Sequence, residues 1–167
     1  MGPVTVRSYR PADHGACRRL WAELTHQHHR MYGGAPDDGG AGFEEYLARL
    51  DLSGLWVADH ADDGVIGMVG LVLHGRAGEV EPVVVTASHR HKGVGRLLLR
   101  HVANEARKRN MRALTISPAS RNVDAIRSLH AAGYDVVSSI KLIMDLDGEQ
   151  HGWQQEGLEL HELQFRS

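Results

Sequence analysis

The sequence predicts an α/β (mixed α+β) fold, with a central mixed, mostly antiparallel sheet of six to seven strands and helices on both faces. Strand-like segments come first in the chain, and two of them are joined by an ADDG turn, as in a hairpin. The second half alternates strand, helix, strand, helix and strand, which is typical of helices packed on a sheet. A length of 167 residues with 42% hydrophobic content supports one core and not two.

The first half of the chain is predicted to form three strands, at residues 4–9, 55–58 and 65–73. Pro11 suits the start of the first helix. The apolar stripe of that helix comprises Cys17, Leu20, Trp21, Leu24, His28 and Met31. Because Cys17 lies on this stripe, we expect it to pack in the core rather than to act as a nucleophile. A glycine-rich loop with two aspartates, residues 33–42, then precedes a short helix marked by Phe43 and Tyr46.

The second half is predicted to contain a strand at 80–85, a helix ending near 110, a strand at 113–116, a helix around 123–131 and one or two strands within 136–146. Gly133 suits the residue that closes the last helix. We therefore expect one domain over residues 1–146. Residues 147–167 form an extension that is apolar enough to pack on this domain or on a partner subunit.

A basic, glycine-punctuated turn joins the strand at 80–85 to the long helix. Its residues are Arg90, His91, Lys92, Gly93, Val94, Gly95 and Arg96. Unpaired N–H groups at a helix N-terminus and the helix dipole favour a bound anion. Gly93 and Gly95 lack a Cβ, so an anion can approach the backbone and the turn can adopt positive φ without strain. The turn therefore predicts a phosphate site.

Two better-known phosphate motifs do not fit this turn. A P-loop requires Lys directly after its second glycine, whereas Arg96 follows Gly95. A dinucleotide fingerprint requires a third small residue three places after Gly95, and Leu98 stands there. The turn alone is also compatible with a glycine-rich helix start that has a solvated basic face.

Charge and composition indicate which classes of partner to expect. The net charge of −2 and the pI near 6.6 argue against a protein built to bind nucleic acid. No apolar run reaches the length of a membrane span, and we expect a cytoplasmic protein that does not bind membranes. The twelve histidines include His14, His26, His28 and His29, but their spacing fits no metal motif, so we expect no metal.

With these elements in place, the chain resembles the GNAT superfamily of N-acetyltransferases over roughly residues 4–146. The family signature Q/R-x-x-G-x-G/A matches residues 90–95, in the expected strand-to-helix context. A second family element, N-x-x-A followed eight residues later by G-[FY], matches Asn122, Ala125, Gly133 and Tyr134.

The resemblance implies acetyl-CoA as co-substrate and assigns residues to it. The turn amides of His91 to Arg96 would hold the pyrophosphate of coenzyme A. The backbone of Val83, Val84 and Val85 would pair with the pantetheine arm, as an added strand pairs with a sheet edge. Asn122 would contact the same arm.

Glu79 and Glu81 are the candidates for the general base. An amine attacks a thioester directly, but an alkyl amine with a pKa of about 10.4 is neutral in only about one molecule in a thousand at pH 7. By the period of two along a strand, both glutamates are predicted to share a face with Val83 and Val85. The alternative is that one or both lie in solvent or pair with arginine.

The general acid is not identified by the motif. Many relatives carry a Tyr seven residues after the Asn, and Leu129 stands at that position. Ser117 replaces a base that some relatives place on the next strand, and Tyr134 is expected in the core. Because a thiol has a pKa near 8.5, a thiolate can leave with help from water alone.

The predicted function is transfer of an acetyl group to a primary amine by direct attack in a ternary complex. The amine acceptor would enter near residues 32–42, and the chain could form a homodimer. The alternative is a catalytically silent acyl-CoA-binding or sensor domain, which the missing Tyr permits.

Overall fold

The computed structural model describes residues 2–33, 40–146, 153 and 157–167. The strands are β1 (Val4–Ser8), β2 (Leu55–His60), β3 (Gly64–His74), β4 (Ala77–Val85), β5 (Ala113–Thr115), β6 (Leu158–Leu160) and β7 (Leu163–Phe165). The helices are α1 (His14–Tyr32), α2 (Ala41–Arg49), α3 (Val94–Lys108) and α4 (Val123–Ala131). Short 3-10 turns lie at Pro11–Asp13, Leu52–Gly54 and Ala87–His89. None of the helices in these ranges combines the length and the apolarity that a bilayer-spanning segment requires.

The main sheet has the order β1-β2-β3-β4-β5. Its first four strands pair antiparallel, and β5 pairs parallel with β4. The predicted mixed, mostly antiparallel sheet is therefore confirmed. The number of strands differs from the predicted six to seven, because the described residues place five strands in this sheet and two more, β6 and β7, in a separate hairpin.

Helices cover both faces of the sheet, as predicted. We call the side covered by α3 the α3 face; its buried residues include Val69, Leu71, Val80, Leu98 and Val102. The opposite side, covered by α1 and α2, is the α1 face; its buried residues include Cys17, Phe43, Tyr46, Met68 and Val84. Cys17 is fully buried, and burial raises the pKa of its thiol to about 12, so it packs in the core as expected.

A partly buried ion pair fixes the start of α1 to the sheet. Arg7 on β1 donates to both carboxylate oxygens of Asp13, at 2.8 and 2.9 Å, and its Nε donates to Asp59 at 2.8 Å. The backbone N–H of Arg10 donates to Asp13 at 2.8 Å. The hydrogen bonds from Arg7 hold the pKa of Asp13 below its ordinary value.

Residues 136–146 are described but form no strand, so the predicted one or two strands there are wrong. The chain leaves the core after Tyr134, whose side chain packs on the α3 face. A strand requires a neighbour that satisfies its N–H and C=O groups. No strand pairing of the described residues includes this segment.

Candidate active site

Strands β4 and β5 separate soon after they meet. They pair only at Ala77–Ala113, Gly78–Leu114 and Glu79–Thr115. Beyond Glu79, the edge of β4 that faces β5 has no strand partner among the described residues. The separation opens a wedge in the sheet, and backbone groups of residues 80–85 line one side of it.

A β-bulge interrupts β4 at the point where the wedge opens. Val69 lies opposite Val83, but Leu71 lies opposite Val80, so β4 carries one more residue than β3 in this interval. The hydroxyl of Tyr46 donates to the carbonyl oxygen of Glu81 at 2.6 Å and fills the space beside Gly70. Burial, and then the charge of Glu81, raises the pKa of Tyr46. The bulge is thus held by a buried tyrosine of α2.

The bulge corrects the predicted orientation of Glu79. Val80, Val83 and Val85 all pack on the α3 face, which a strict period of two does not allow. Glu79 lies opposite Val72, whose side chain packs on the α1 face. The prediction that Glu79 shares a face with Val83 and Val85 is therefore wrong, because the extra residue reverses the alternation between them.

The two candidate bases differ in their surroundings. The carboxylate of Glu79 lies 3.1 Å from Nε2 of His74, and its side chain is about one-third exposed. Glu81 lies within the bulge, and its side chain is exposed. Glu81 therefore meets solvent next to the wedge, whereas Glu79 has a histidine partner on the neighbouring strand.

The turn has the geometry expected of an anion site. Gly93 precedes α3 with φ of 83°, and His91 has φ of 59°. The first hydrogen bond of the helix runs from the N–H of Leu97 to the carbonyl oxygen of Gly93, at 3.0 Å. The amides of residues 94–96 therefore have no acceptor within the helix. A Cβ on Gly93 would meet nothing within 4 Å. The glycine is therefore required by its backbone angle and not by lack of space.

The basic side chains of the turn point in different directions. Nε of Arg90 donates to the carbonyl oxygen of Val85 at 2.9 Å, and its guanidinium lies 3.6 Å from Glu23. Arg90 thus anchors the turn to the end of β4. Lys92 and Arg96 are exposed and supply positive charge beside the free amides.

Glu23 of α1 is a residue of this site that the sequence analysis missed. Its carboxylate accepts from the hydroxyl of Thr86 at 2.7 Å and from the backbone N–H of Ala87 at 3.0 Å, besides its contact with Arg90. Glu23 therefore holds the chain between β4 and the turn. No local pattern indicates it, because more than 60 residues separate the partners.

Asn122 begins α4 as its N-cap. Its Oδ1 accepts from the backbone N–H of Ala125 at 3.2 Å, which accounts for the Asn of the N-x-x-A element as a helix cap. Leu129 is buried on the α3 face, so the position of the usual Tyr is a core position. The hydroxyl of Tyr134 is buried without a hydrogen-bond partner among the described residues, and burial raises its pKa.

One cluster of potential metal ligands lies beside the turn. Suitable atoms of His60, Asp63 and His89 lie within 4.8 Å of one another. However, Nδ1 of His60 accepts the N–H groups of Asp62 and Asp63 at 3.2 Å each, so its lone pair is already engaged. Asp63 and His89, 3.1 Å apart, instead join the β2–β3 turn to the segment before α3. A cavity of about 270 Å³ beside the cluster is lined by Glu23 and Thr86, but by none of the site residues predicted from the sequence.

The region proposed for acceptor entry is described only in part, since residues 34–39 lie outside the described residues. At its start, the hydroxyl of Tyr32 lies 3.2 Å from that of Ser120 and accepts from the N–H of Arg121 at 3.1 Å. The guanidinium of Arg121 also contacts the carbonyl oxygens of Met31 and Ser167. The end of α1 thus meets the loop before α4 and the end of the C-terminal extension.

Comparison with known proteins finds a curated relative. Streptothricin acetyltransferase of Streptomyces lavendulae is 33% identical over 102 residues, which are 59% of this chain and 54% of that protein. The chain therefore spans about half the length of the curated relative that it matches.

Solved structures share the fold at low sequence identity. The ribosomal-protein-S18-alanine N-acetyltransferase from Escherichia coli has a TM-score of 0.61 at 15% identity, covering 78% of this chain and 77% of that one. AAC(6')-Iy, in complex with the bisubstrate analogue CoA-S-monomethyl-acetylneamine, has a TM-score of 0.62 at 17% identity, covering 87% and 99%. The model of the acetyltransferase (GNAT) family matches residues 17–134, more than two thirds of the sequence, and this chain belongs to that family.

Proposed function

We propose that this protein is an acetyl-CoA-dependent N-acetyltransferase that moves an acetyl group to a primary amine by direct attack in a ternary complex. One observation carries the proposal. In a chain of the GNAT family, a glycine turn with free helix-start amides comes shortly after a strand edge that has no strand partner among the described residues. The strand edge and the turn follow one another along the chain at the end of β4, so a ligand with a diphosphate and an amide-bearing arm can bind both.

In this proposal the turn and the strand edge bind different parts of coenzyme A. The amides of residues 91–96 hold the pyrophosphate, assisted by Lys92 and Arg96. The edge of β4 pairs with the pantetheine arm. Because Arg90 already binds the carbonyl oxygen of Val85, we assign this pairing mainly to Val83 and Val84. Asn122 keeps its oxygen on the helix cap, which leaves its amide N–H for the arm.

The reaction itself requires a base and little else from the protein. The amine nitrogen attacks the thioester carbonyl carbon, the C–N bond forms, and the C–S bond then breaks. A carboxylate takes the proton that the amine loses, and sulfur leaves as thiolate, whose pKa near 8.5 requires no strong acid. We assign the base first to Glu81, which is exposed beside the wedge, and second to Glu79, which is paired with His74.

The relative at 33% identity is named for streptothricin, and we propose that the acceptor here is likewise a cationic, amine-bearing small molecule.

The alternative of a silent acyl-CoA-binding domain is favoured by Leu129, which places a core residue where many relatives carry the acid. Turnover distinguishes the two. The test is release of free thiol from acetyl-CoA with streptothricin, polyamines, aminoglycosides, arylamines and peptides as acceptors.

If the enzyme proposal is right, the double variant Glu79→Gln and Glu81→Gln lowers kcat by about 10²–10⁴-fold while the affinity for acetyl-CoA stays nearly constant. The single variants then show which carboxylate acts as the base. Glu45→Gln, which changes an exposed glutamate of α2, is the matched control. An unchanged kcat in the double variant would remove the base assignment. Binding of acetyl-CoA without thiol release on any acceptor would favour the silent domain.

A further inference from the structure

A buried hydrogen bond from α2 reaches the backbone of the residue that we assign first as the base. The hydroxyl of Tyr46 donates to the carbonyl oxygen of Glu81 at 2.6 Å, and Tyr46 is 2% exposed. This carbonyl lies in the β-bulge, where the pairing of β3 with β4 over the described residues passes over Glu81 and Pro82. Proline has no N–H group to donate. Tyr46 therefore gives the bulge a hydrogen bond that the strand pairing does not provide.

The space for this hydroxyl depends on a glycine of the neighbouring strand. A Cβ added at Gly70 would lie 1.8 Å from Oη of Tyr46 and 2.3 Å from the carbonyl oxygen of Glu81. Real Cβ atoms do not approach other heavy atoms so closely, so a side chain at position 70 would displace one of the two groups. Gly70 is therefore required by lack of space, unlike Gly93, which is required by its backbone angle.

The ring of Tyr46 is held by neighbours that do not depend on this hydrogen bond. The rings of Trp21 on α1 and Phe43 on α2 lie 5.0 and 6.3 Å from it, measured between centroids. All three side chains pack in the core of the α1 face. Because the hydroxyl oxygen is attached to a rigid ring, close packing of the ring sets where the carbonyl of Glu81 is held.

We propose that Tyr46 is a positioning residue for acetyl transfer, because it holds the backbone of Glu81 in the orientation that places the carboxylate beside the wedge. This inference rests on the proposed function and on Glu81 as its base. A base must come within hydrogen-bond reach of the amine whose proton it takes. The side chain of Glu81 is exposed, so its placement depends on the direction of its backbone. Tyr46 is buried and acts through Glu81, not on the substrate.

Tyr46→Phe removes the hydroxyl and keeps the ring. We expect kcat to fall about 10- to 100-fold, since misplacing a reacting group by about 1 Å can cost about 10²-fold. The affinity for acetyl-CoA in calorimetry should stay nearly constant, because the turn keeps its own contacts. Tyr134→Phe is the control and should keep kcat, because that buried hydroxyl has no hydrogen-bond partner among the described residues. An unchanged kcat in Tyr46→Phe would overturn the proposal.

A double-mutant cycle separates positioning from general destabilisation. In the Glu81→Gln background, Tyr46→Phe should lower kcat little further, because the carboxylate that it places is already absent. A similar fall in both backgrounds would overturn the proposal, since Tyr46 would then act on the fold as a whole. An unchanged kcat in Glu81→Gln alone would also overturn it, because another group would then be the base.

A second measurement does not require turnover. Residual dipolar couplings of the N–H groups of Glu81 and Val83 report the orientation of the bulge in solution. We expect these couplings to change in Tyr46→Phe and to stay the same in Tyr134→Phe. Unchanged couplings in Tyr46→Phe would overturn the placement of Glu81 by Tyr46. Changed couplings in a protein that releases thiol with no acceptor would keep this placement, but would overturn its role in catalysis together with the proposed function.

Discussion

The turn at residues 90–96 and the segment at residues 136–146 both follow directly from core elements, but they differ in what holds them. The turn is tied to β4 through Arg90, and the chain before it is tied to α1 through Glu23. The segment follows Tyr134 and has no strand partner among the described residues. A polar turn can be held in place by hydrogen bonds to nearby side chains, whereas an apolar strand requires another strand. The difference explains why we assign ligand binding to the first region and not to the second.

The largest effect on stability is expected from a third region that, like the turn, is held by side-chain hydrogen bonds. Asp13→Asn removes the charge that Arg7 binds through two hydrogen bonds, and leaves a partly buried guanidinium without its main partner. We expect the free energy of unfolding at pH 7 to fall by about 2–3 kcal/mol, below the range for fully buried pairs because Arg7 is partly exposed. Urea denaturation measures this change.

The difference between wild type and Asp13→Asn should depend on pH. The folded-state pKa of Asp13 is lowered, so the stability that its charge provides is complete above the ordinary aspartate pKa of about 4 and is lost as the pH falls through the folded value. The two proteins should therefore differ at pH 7 and converge in strong acid. A difference that grows on acidification would contradict the role given to this ion pair.

Ligand binding at the turn should be sensitive to its backbone. Gly93→Val forces a β-branched residue into a left-handed conformation, and we expect affinity for coenzyme A to fall at least tenfold in calorimetry. Gly75→Val is the matched control. Gly75 also has positive φ and open space around its Cβ position, but it lies in the β3–β4 turn. The control should lose stability and keep its affinity; equal losses of affinity would show that the turn has no special part in binding.

A smaller effect is expected from the contact that positions the turn. Glu23→Gln removes the negative charge that accepts from Thr86 and Ala87, so we expect a loss of coenzyme A affinity of about three- to tenfold. Because Glu23 acts through the turn, kcat at saturating coenzyme should change little. Gln27→Glu, one turn further along α1, serves as a control for altered charge on that helix. A fall in kcat with unchanged affinity would exclude the positioning role.

Much of the architecture follows from local pattern. Strands β1 to β5, the amphipathic helices and the glycine turn before Val94 lie close to where spacing places them, because each pattern reports a face that must be buried or a backbone angle that only glycine adopts easily. Asn122 begins α4 for a local reason too, since its side chain caps the first turn of the helix. The roles of these residues in binding and catalysis remain predictions.

Other features depend on contacts between distant residues. The bulge in β4 cannot be seen in an unbroken run of strand-forming residues, yet it decides which face Glu79 occupies. Tyr46, which holds the bulge, lies 35 residues away, and Glu23 lies 63 residues from Thr86. Residues 136–146 show the converse case, because a strand pattern forms a strand only where a sheet edge receives it.

The sequence by itself determined the fold class, the family and the position of the glycine turn before α3, since these depend on periodicity and on residues adjacent along the chain. Only the tertiary structure decided the register of β4 against β3, the wedge between β4 and β5, and the anchoring of the turn by Glu23. The physical reason is the distance along the chain over which each effect acts. Hydrophobic period and backbone angle act within a few residues, whereas strand register and side-chain hydrogen bonds are settled only when separate elements pack together.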